Sequence, residues 1–359
     1  MKVAFIARST LYSAPGGDTV QVQETARHLA LQGVSVDILL THERINYENY
    51  SLLHFFNVTR PADIIFHINR TSRPFLLSPI FIDYSEFDRQ HRAGLSGMAL
   101  RNFSKHRNEY LKTVMRWIKG KDGLRTKSYL WKGQRNCMRE VIERAALILP
   151  NSKSEYERLK AELSIEAEYM VVPNGIDDSL FQQNGEEDRE KNLVICAARI
   201  EGIKNQLNLI RALNGTSFTL LLIGSPSPNQ QSYYERCVAE AKENVRFIGR
   251  LPQKSLVKYY RKARVHALPS WFETCGLSSL EAAAMGCNII VTDRGYTREY
   301  FGSEAFYCNP GDPASIRRSI EEAAELESSN SLKQKIFQQY TWKESAALTL
   351  QAYHKITSS

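Results

Sequence analysis

Long apolar runs are missing from this sequence. No stretch of about 18 consecutive apolar residues occurs, so no transmembrane helix is expected. The opening MKVAFIARST turns polar too soon for a secretory signal, which leaves the cytoplasm as the default location. Cysteine is sparse and scattered. The six residues Cys137, Cys196, Cys237, Cys275, Cys287 and Cys308 include no CxxC pair, which argues against a zinc site or a disulfide framework. Cys196 and Cys287 lie in apolar segments and read as small buried hydrophobes. Histidine is scarce and unpaired, and Asp-x-Asp is absent, so no metal site is expected. His266, inside a predicted strand, reads as a satisfied core residue. Both G-x-G-x-x-G and G-x-x-x-x-G-K-[ST] are also absent, which removes the dinucleotide fingerprint and the P-loop.

What is present is a chain of 359 residues, more than one hydrophobic core usually serves, so two domains of roughly 150–200 residues are expected. With 43% apolar and 24% charged residues the composition is that of a soluble globular protein, and intrinsic disorder is excluded. The net charge of +8 is local. Segment 101–135 holds eleven lysines and arginines against only Glu109 and Asp122, so the remainder is close to neutral. This segment reads as amphipathic helix around a break at 120–123, with Trp117 and Trp131 inside it. It suits an anionic membrane surface, where each basic residue contributes about 1 kcal/mol, or a lipid-diphosphate acceptor. A solvated, merely basic helix pair is the alternative. No nucleic-acid module accompanies the charge, and no nucleic-acid partner is expected.

Along the chain, hydrophobic patterning predicts a βαβ opening: strand 2–7, a loop at 13–18, helix 19–32 stopped by Gly33, and strand 34–40. Further short strands are expected at 63–68 and 79–82. A helix ending in strand 145–149 follows, and then helix 151–163, whose start SKSE is a capping box. Residues 173–191 are turn-rich and then acidic, the best linker. Beyond them the β/α alternation restarts and ends in an amphipathic helix over 342–356. Alternation of this kind builds parallel sheets with ligands beyond the carboxyl ends of the strands, so motifs at strand-to-helix turns carry most weight.

Three such motifs stand out. FETCGLSSLEAAAMG (272–286) follows a predicted strand and places Glu273 and Glu281 eight positions apart around Gly276. Glycine lets a ligand approach the backbone, and the following helix start offers unpaired N–H groups to a phosphate or sugar. A carboxylate at Glu281 suits a ribose diol and one at Glu273 suits sugar hydroxyls; two solvated glutamates on a core-facing helix is the other reading. ARIEGIKNQ (198–206) puts Arg199 and Lys204 at another strand end, where two cations suit a diphosphate or form a basic surface turn. APGGD (14–18) places Gly16 and Gly17 ahead of the first helix, a turn able to cradle a phosphate with backbone N–H groups.

Together these elements resemble the family-4 retaining glycosyltransferases of GT-B fold (glycosyltransferase group 1), over most of the chain and most specifically in its second half. Glu273 and Glu281 match the family's E-x7-E, Arg199 and Lys204 its R-x4-K, and PNGID (173–177) its NG(V/I)D at the domain junction. FIGRLP (247–252) is similar to the loop that contacts the base; LPSWFE, GCNIIVTDRG and the closing YTWKE are also shared. The resemblance implies an α/β protein of two Rossmann-like doubly wound domains facing across a cleft. They would be an acceptor-side domain over 1–172 and a donor domain over 173–340, with a helix over 341–359 packing back on the first. It implies a metal-independent hexosyltransferase using a nucleoside-diphosphate-sugar as donor substrate, with no cofactor. The acceptor would be a hydroxyl of a glycan or lipid-linked molecule in cell-envelope polysaccharide or lipopolysaccharide biosynthesis, at the inner face of the membrane. Arg199 and Lys204 would hold the diphosphate and stabilise the leaving nucleotide, and Glu281 would hold the ribose. Glu273 with the backbone at Gly276 and Leu277 would orient the sugar, and Gly16 and Gly17 would approach from the other domain. Front-face attack needs no protein nucleophile, only positioning and electrostatic stabilisation. The sequence departs from the family where many members carry a first-domain histidine. SPIFIDYSEFDRQH stands there, and Asp83 is the residue at the comparable place, its alternative role being a turn or helix cap. A non-catalytic sugar-nucleotide or glycan-binding protein, and another GT-B enzyme such as a sugar-nucleotide epimerase or a phosphorylase, remain as other readings.

Overall fold

The structure is a computed structural model that describes residues 1–83, 87, 110–111, 113–114, 126–181 and 189–358. The chain divides into two compact units. One comprises Met1–Phe81, Asp88–Pro173 and Trp342–Ser359, the other Ile82–Phe87 and Asn174–Thr341.

The first unit is built on a five-stranded sheet of β1 (Lys2–Ala7), β2 (Ser35–Leu40), β3 (Leu52–Phe56), β4 (Phe75–Ser78) and β5 (Leu147–Ile148). All pairings are parallel and the order is β2-β1-β3-β4-β5. Because successive side chains leave a strand on opposite faces, apolar runs such as VAFIA and LLHFF feed two cores. Ala4, Ile6, Leu53 and Phe55 pack with Ile64, Ile65, Val141, Ile142 and Leu159 on one face. Val3, Phe5, Leu52 and Phe56 pack with Val22, Leu29, Ala346, Ala352 and Tyr353 on the other. The last helix, Trp342–Thr357, therefore completes this unit's core beside the first helix, Gly17–Leu31. His54 of β3 joins that packing through Tyr353 Oη (2.7 Å) and Ser78 Oγ (2.9 Å), and burial lowers its pKa to about 3, so it is neutral.

The second unit carries six parallel strands: β6 (Glu190–Ala197), β7 (Thr219–Ile223), β8 (Val245–Phe247), β9 (Ala263–Ala267), β10 (Asn288–Thr292) and β11 (Phe306–Cys308). Their order is β11-β10-β9-β6-β7-β8. The chain lays down β6, β7 and β8 outward in one direction, then returns to place β9 on the other side of β6. This is the doubly wound order whose crevice opens at the carboxyl ends of the two central strands. Here those are β6 and β9. Again the faces sort by parity: Leu193, Ile195 and Ala197 enter one core, Val194 and Cys196 the other.

Two expected strands are not strands. Residues 63–68 lie in the helix Pro61–Ile68, which Pro61 opens at its first positions, with Asp63 in the first turn. A short, mostly apolar run does not separate strand from buried helix by its period. Residues 79–82 form no regular element: Ile80 has φ +45°, and Phe81 donates its N–H to the Glu155 carboxylate at 2.5 Å. The strands that complete this sheet are β3 and β4. Of the capping box expected at 152–155 the N-cap half is present, Ser152 Oγ accepting from Glu155 N at 3.0 Å, while Glu155 Oε2 accepts from Asn151 N at 2.6 Å. All six cysteines are free and buried, and burial pushes the Cys196 and Cys287 thiols up to about 12.

Most of segment 101–135, Trp117 included, lies outside the described residues. In its described part Trp131 is exposed, Lys132 pairs with Glu140 (2.8 Å) and Arg135 donates to the Glu162 carbonyl (3.1 Å). Among the described residues no helix is long and apolar enough to cross a membrane.

Candidate functional site

The two charged motifs of the second unit follow the two central strands. Arg199 and Lys204 lie on the loop after β6; Glu273, Gly276, Leu277 and Glu281 lie on the loop and helix after β9. Strand adjacency brings the loops together, and specific bonds join them. Trp271 N donates to the Ile203 carbonyl (2.8 Å), and Asn205 Nδ2 donates to the Pro269 carbonyl (3.0 Å). Asn205 sits in the left-handed region, ending the turn Gly202–Lys204 and opening the helix Gln206–Leu213.

This scaffold sets Lys204 Nζ 2.5 Å from Glu273 Oε1. The same oxygen accepts from Ser270 Oγ at 2.7 Å. Burial pulls the Lys204 ammonium down, but Glu273 and Glu201 outweigh it and its pKa is raised above the usual lysine range. Arg199 is more open to solvent and reaches Glu201 Oε1 at 3.0 Å, while Glu201 Oε2 accepts from Ser227 Oγ at 2.7 Å, beyond the end of β7. The Glu273 backbone is fixed from β10's side: Tyr296 N donates to its carbonyl (2.9 Å), and Gly295 stands bridged beside it. A Cβ on Gly295 would lie 1.9 Å from that carbonyl oxygen, so only glycine fits this approach.

Gly276 (φ +70°) turns the chain into the helix Leu277–Ala284, and its carbonyl accepts from Ser279 N and Leu280 N. The earliest N–H groups of such a helix have no partner within it and face outward with the positive end of the dipole. One turn further in, Glu281 is buried. Its Oε1 accepts from Gln253 Nε2 (2.6 Å) and its Oε2 from Tyr260 Oη (3.0 Å). Burial raises its pKa to about 7 in spite of both bonds. His266 on β9 departs from the expected satisfied core residue. Its Nδ1 lies 3.4 Å from Ser279 Oγ, its Nε2 has no hydrogen-bond partner, and burial lowers its pKa to about 3.

Arg199, Lys204, Glu273, Gly276, Leu277 and Glu281 thus share one unit and one edge of its sheet. Asp83 belongs to Ile82–Phe87, the segment grouped with this unit, where Ile82 and Phe87 pack on Ile203, Trp271, Phe272 and Tyr296. Gly16 and Gly17 are in the first unit. Gly16 precedes the helix Gly17–Leu31 and donates to Thr19 Oγ1 at 3.0 Å. Their loop is held by Arg8, which pairs with Asp18 (2.5 Å) and donates to the carbonyls of Thr10 and Ala14.

Sequence reasoning missed the residues that hold these groups: Arg8, Glu201, Ser227, Ser270, Gln253, Tyr260 and Gly295. The signal for one pair was legible. Gln253 and Tyr260 stand seven apart, on one face of the helix Gln253–Lys262.

Residues 177–341 match the family described as Glycosyl transferases group 1. A D-inositol 3-phosphate glycosyltransferase of Corynebacterium glutamicum is 25% identical over 187 residues, covering 46% of this chain and 45% of that protein. The chain spans about half the length of the curated relatives it matches. Among solved structures, the sucrose-phosphate synthase of Thermosynechococcus elongatus superposes with a TM-score of 0.77 at 16% identity, covering 100% of this chain and 99% of that one. HepE of Anabaena in complex with UDP superposes with a TM-score of 0.68 at 16% identity, covering 100% of both chains. Two parallel-sheet α/β units with these strand orders are the GT-B fold, and the match to the group 1 glycosyltransferases falls in the second of them.

Proposed function

We propose that this chain is a retaining, metal-independent glycosyltransferase that moves a hexose from a nucleoside-diphosphate-sugar to a hydroxyl of a glycan or lipid-linked acceptor. The observation that carries this reading is the convergence of Lys204, Glu273, Arg199 and Glu281 on the two loops that follow β6 and β9. Arg199 and Lys204 take the diphosphate and offset the charge that builds on it as the glycosidic bond breaks, the task a divalent ion performs elsewhere. Glu273 accepts from sugar hydroxyls, and the backbone at Gly276 and Leu277 meets sugar or phosphate oxygens. Glu281 accepts from the ribose diol. In the first unit Gly17 offers its backbone N–H, while that of Gly16 is held by Thr19 Oγ1, and Asp83 is the carboxylate assigned to the acceptor. The acceptor hydroxyl attacks on the face from which the nucleotide departs. The departing phosphate oxygen takes its proton, so no protein nucleophile is required. The basic segment 101–135 suits an anionic membrane surface or lipid-linked acceptor. A cytoplasmic enzyme of cell-envelope polysaccharide or lipopolysaccharide synthesis is the setting that fits both.

The test is thermal unfolding with UDP, GDP or ADP, each run with and without EDTA. A ligand at 100 times its Kd stabilises by about 2.7 kcal/mol, and one of the three is expected to raise Tm visibly. The UDP complex of HepE makes UDP the first to try. Absence of any response overturns the donor site, while a response abolished by EDTA overturns metal independence.

A further inference from the structure

The buried carboxylate of Glu281 is oriented by two neutral donors, and both come from one helix. Gln253 opens the helix Gln253–Lys262 directly after the loop that follows β8. Tyr260 lies two turns later on the same face, with its side chain fully buried. Gln253 Nε2 reaches Glu281 Oε1 at 2.6 Å and Tyr260 Oη reaches Oε2 at 3.0 Å, one donor for each oxygen. The Tyr260 ring is itself locked, edge-on to His266 of β9 and against Phe181, so its hydroxyl has one direction in which to point. Each carboxylate oxygen has two acceptor positions, and one donor occupies one of them. The pair therefore fixes the plane of the carboxylate and leaves one acceptor position on each oxygen for a ligand.

We infer that Gln253 and Tyr260 are positioning residues for nucleoside recognition: they hold Glu281 Oε1 and Oε2 in the orientation that accepts two hydrogen bonds from a vicinal diol, and so act on ribose binding without touching ribose. This rests on the assignment of Glu281 to the ribose made above. A diol is a demanding partner because its two oxygens are rigidly spaced. A carboxylate free to rotate loses one of the two bonds, and preorganisation is what the clamp supplies. The clamp also joins ribose recognition to the β8 loop, since the helix that opens after that loop carries both donors.

The test compares two ligands in four proteins. UDP, GDP and ADP are each titrated beside the 2′,3′-dideoxy form of the same nucleotide, and the tightest pair is measured in the parent, Tyr260→Phe, Gln253→Ala and Glu281→Ala. Loss of one hydrogen bond to a charged group corresponds to roughly tenfold in affinity. Tyr260→Phe and Gln253→Ala are each expected to weaken the ribonucleotide about tenfold while leaving the dideoxynucleotide unchanged, so the preference for ribose falls by that factor. The unchanged dideoxynucleotide affinity reports that the site is still folded, which a merely structural role would not give. Equal weakening of both ligands, or no change in either, overturns the inference. If Glu281→Ala itself leaves the ribose preference intact, or if no diphosphate binds the parent, the ribose assignment fails first and the clamp falls with it. If Glu281→Ala removes the preference while the other two variants keep it, the ribose assignment stands and the clamp alone is wrong.

Discussion

Glu281 is a carboxylate buried against neutral donors, Gln253 and Tyr260, and its stability contribution depends on pH. Its pKa is about 7 in the folded protein against 4.5 for an ordinary glutamate, with burial the main cause. Between those values the folded state holds a proton that the unfolded state has released, so stability falls as pH rises through the window. The full span corresponds to about 3 kcal/mol, lost by pH 8. Glu281→Gln removes the titration. In urea denaturation at a series of pH values, the variant gains on the parent by a few kcal/mol between pH 4.5 and pH 8. A constant difference across that range would place the carboxylate in a more solvated setting than described. The identities of Arg199, Lys204, Glu273 and Glu281 were readable from spacing. What spacing could not tell is that Lys204 and Glu273, 69 residues apart, form an ion pair, because that pairing is set by two strands meeting in the sheet.

Elements were legible where the pattern was long or punctuated. The restart of β/α alternation beyond residue 191 and the closing helix over 342–356 read directly, as did the capped helix Lys153–Leu163. The expectation at 63–68 and the omission of β3 have one cause: LLHFF and DIIFHI are both short and mostly apolar, too short for a period to separate strand from helix. β11 and the helix Thr297–Phe301 were too short to register. The turn before that helix carries a test of how the β9 loop is held. Gly295 and Gly302 both have positive φ, +87° and +56°. A Cβ on Gly302 meets nothing within 4 Å, whereas one on Gly295 meets the Glu273 carbonyl oxygen at 1.9 Å. Gly302→Ala should cost about 2 kcal/mol, the backbone penalty of φ +56° with ψ −130° alone. Gly295→Ala should cost more than about 2 kcal/mol and also weaken nucleotide binding, because the Glu273 backbone must move. Equal shifts in the urea midpoint at constant m would remove the close approach as the cause.

At the scale of the molecule, each unit has its own pair of cores around its own sheet, and the strand orders differ: 2-1-3-4-5 in the first, and the six-stranded doubly wound order in the second. The β/α alternation announced parallel sheets, but strand order lies beyond a local pattern, and order is what makes β6 and β9 neighbours. Units with separate cores open separately, and a ligand raises the opening free energy of the unit that holds it. Hydrogen exchange with saturating nucleoside diphosphate should therefore slow across 199–206, 253–260 and 273–285, and through the second unit's strands as its global opening is suppressed. Peptides from β3 and β4, in the interior of the first unit, should exchange at their unliganded rate. The loop at 13–18 is the informative exception. Protection there with nucleotide alone would assign Gly16 and Gly17 to the donor phosphate, and protection that appears only when acceptor is added would assign them to the acceptor. Protection centred on β1 to β5 with none at 199–206 would move the donor site to the other unit and overturn the assignment of Arg199 and Lys204.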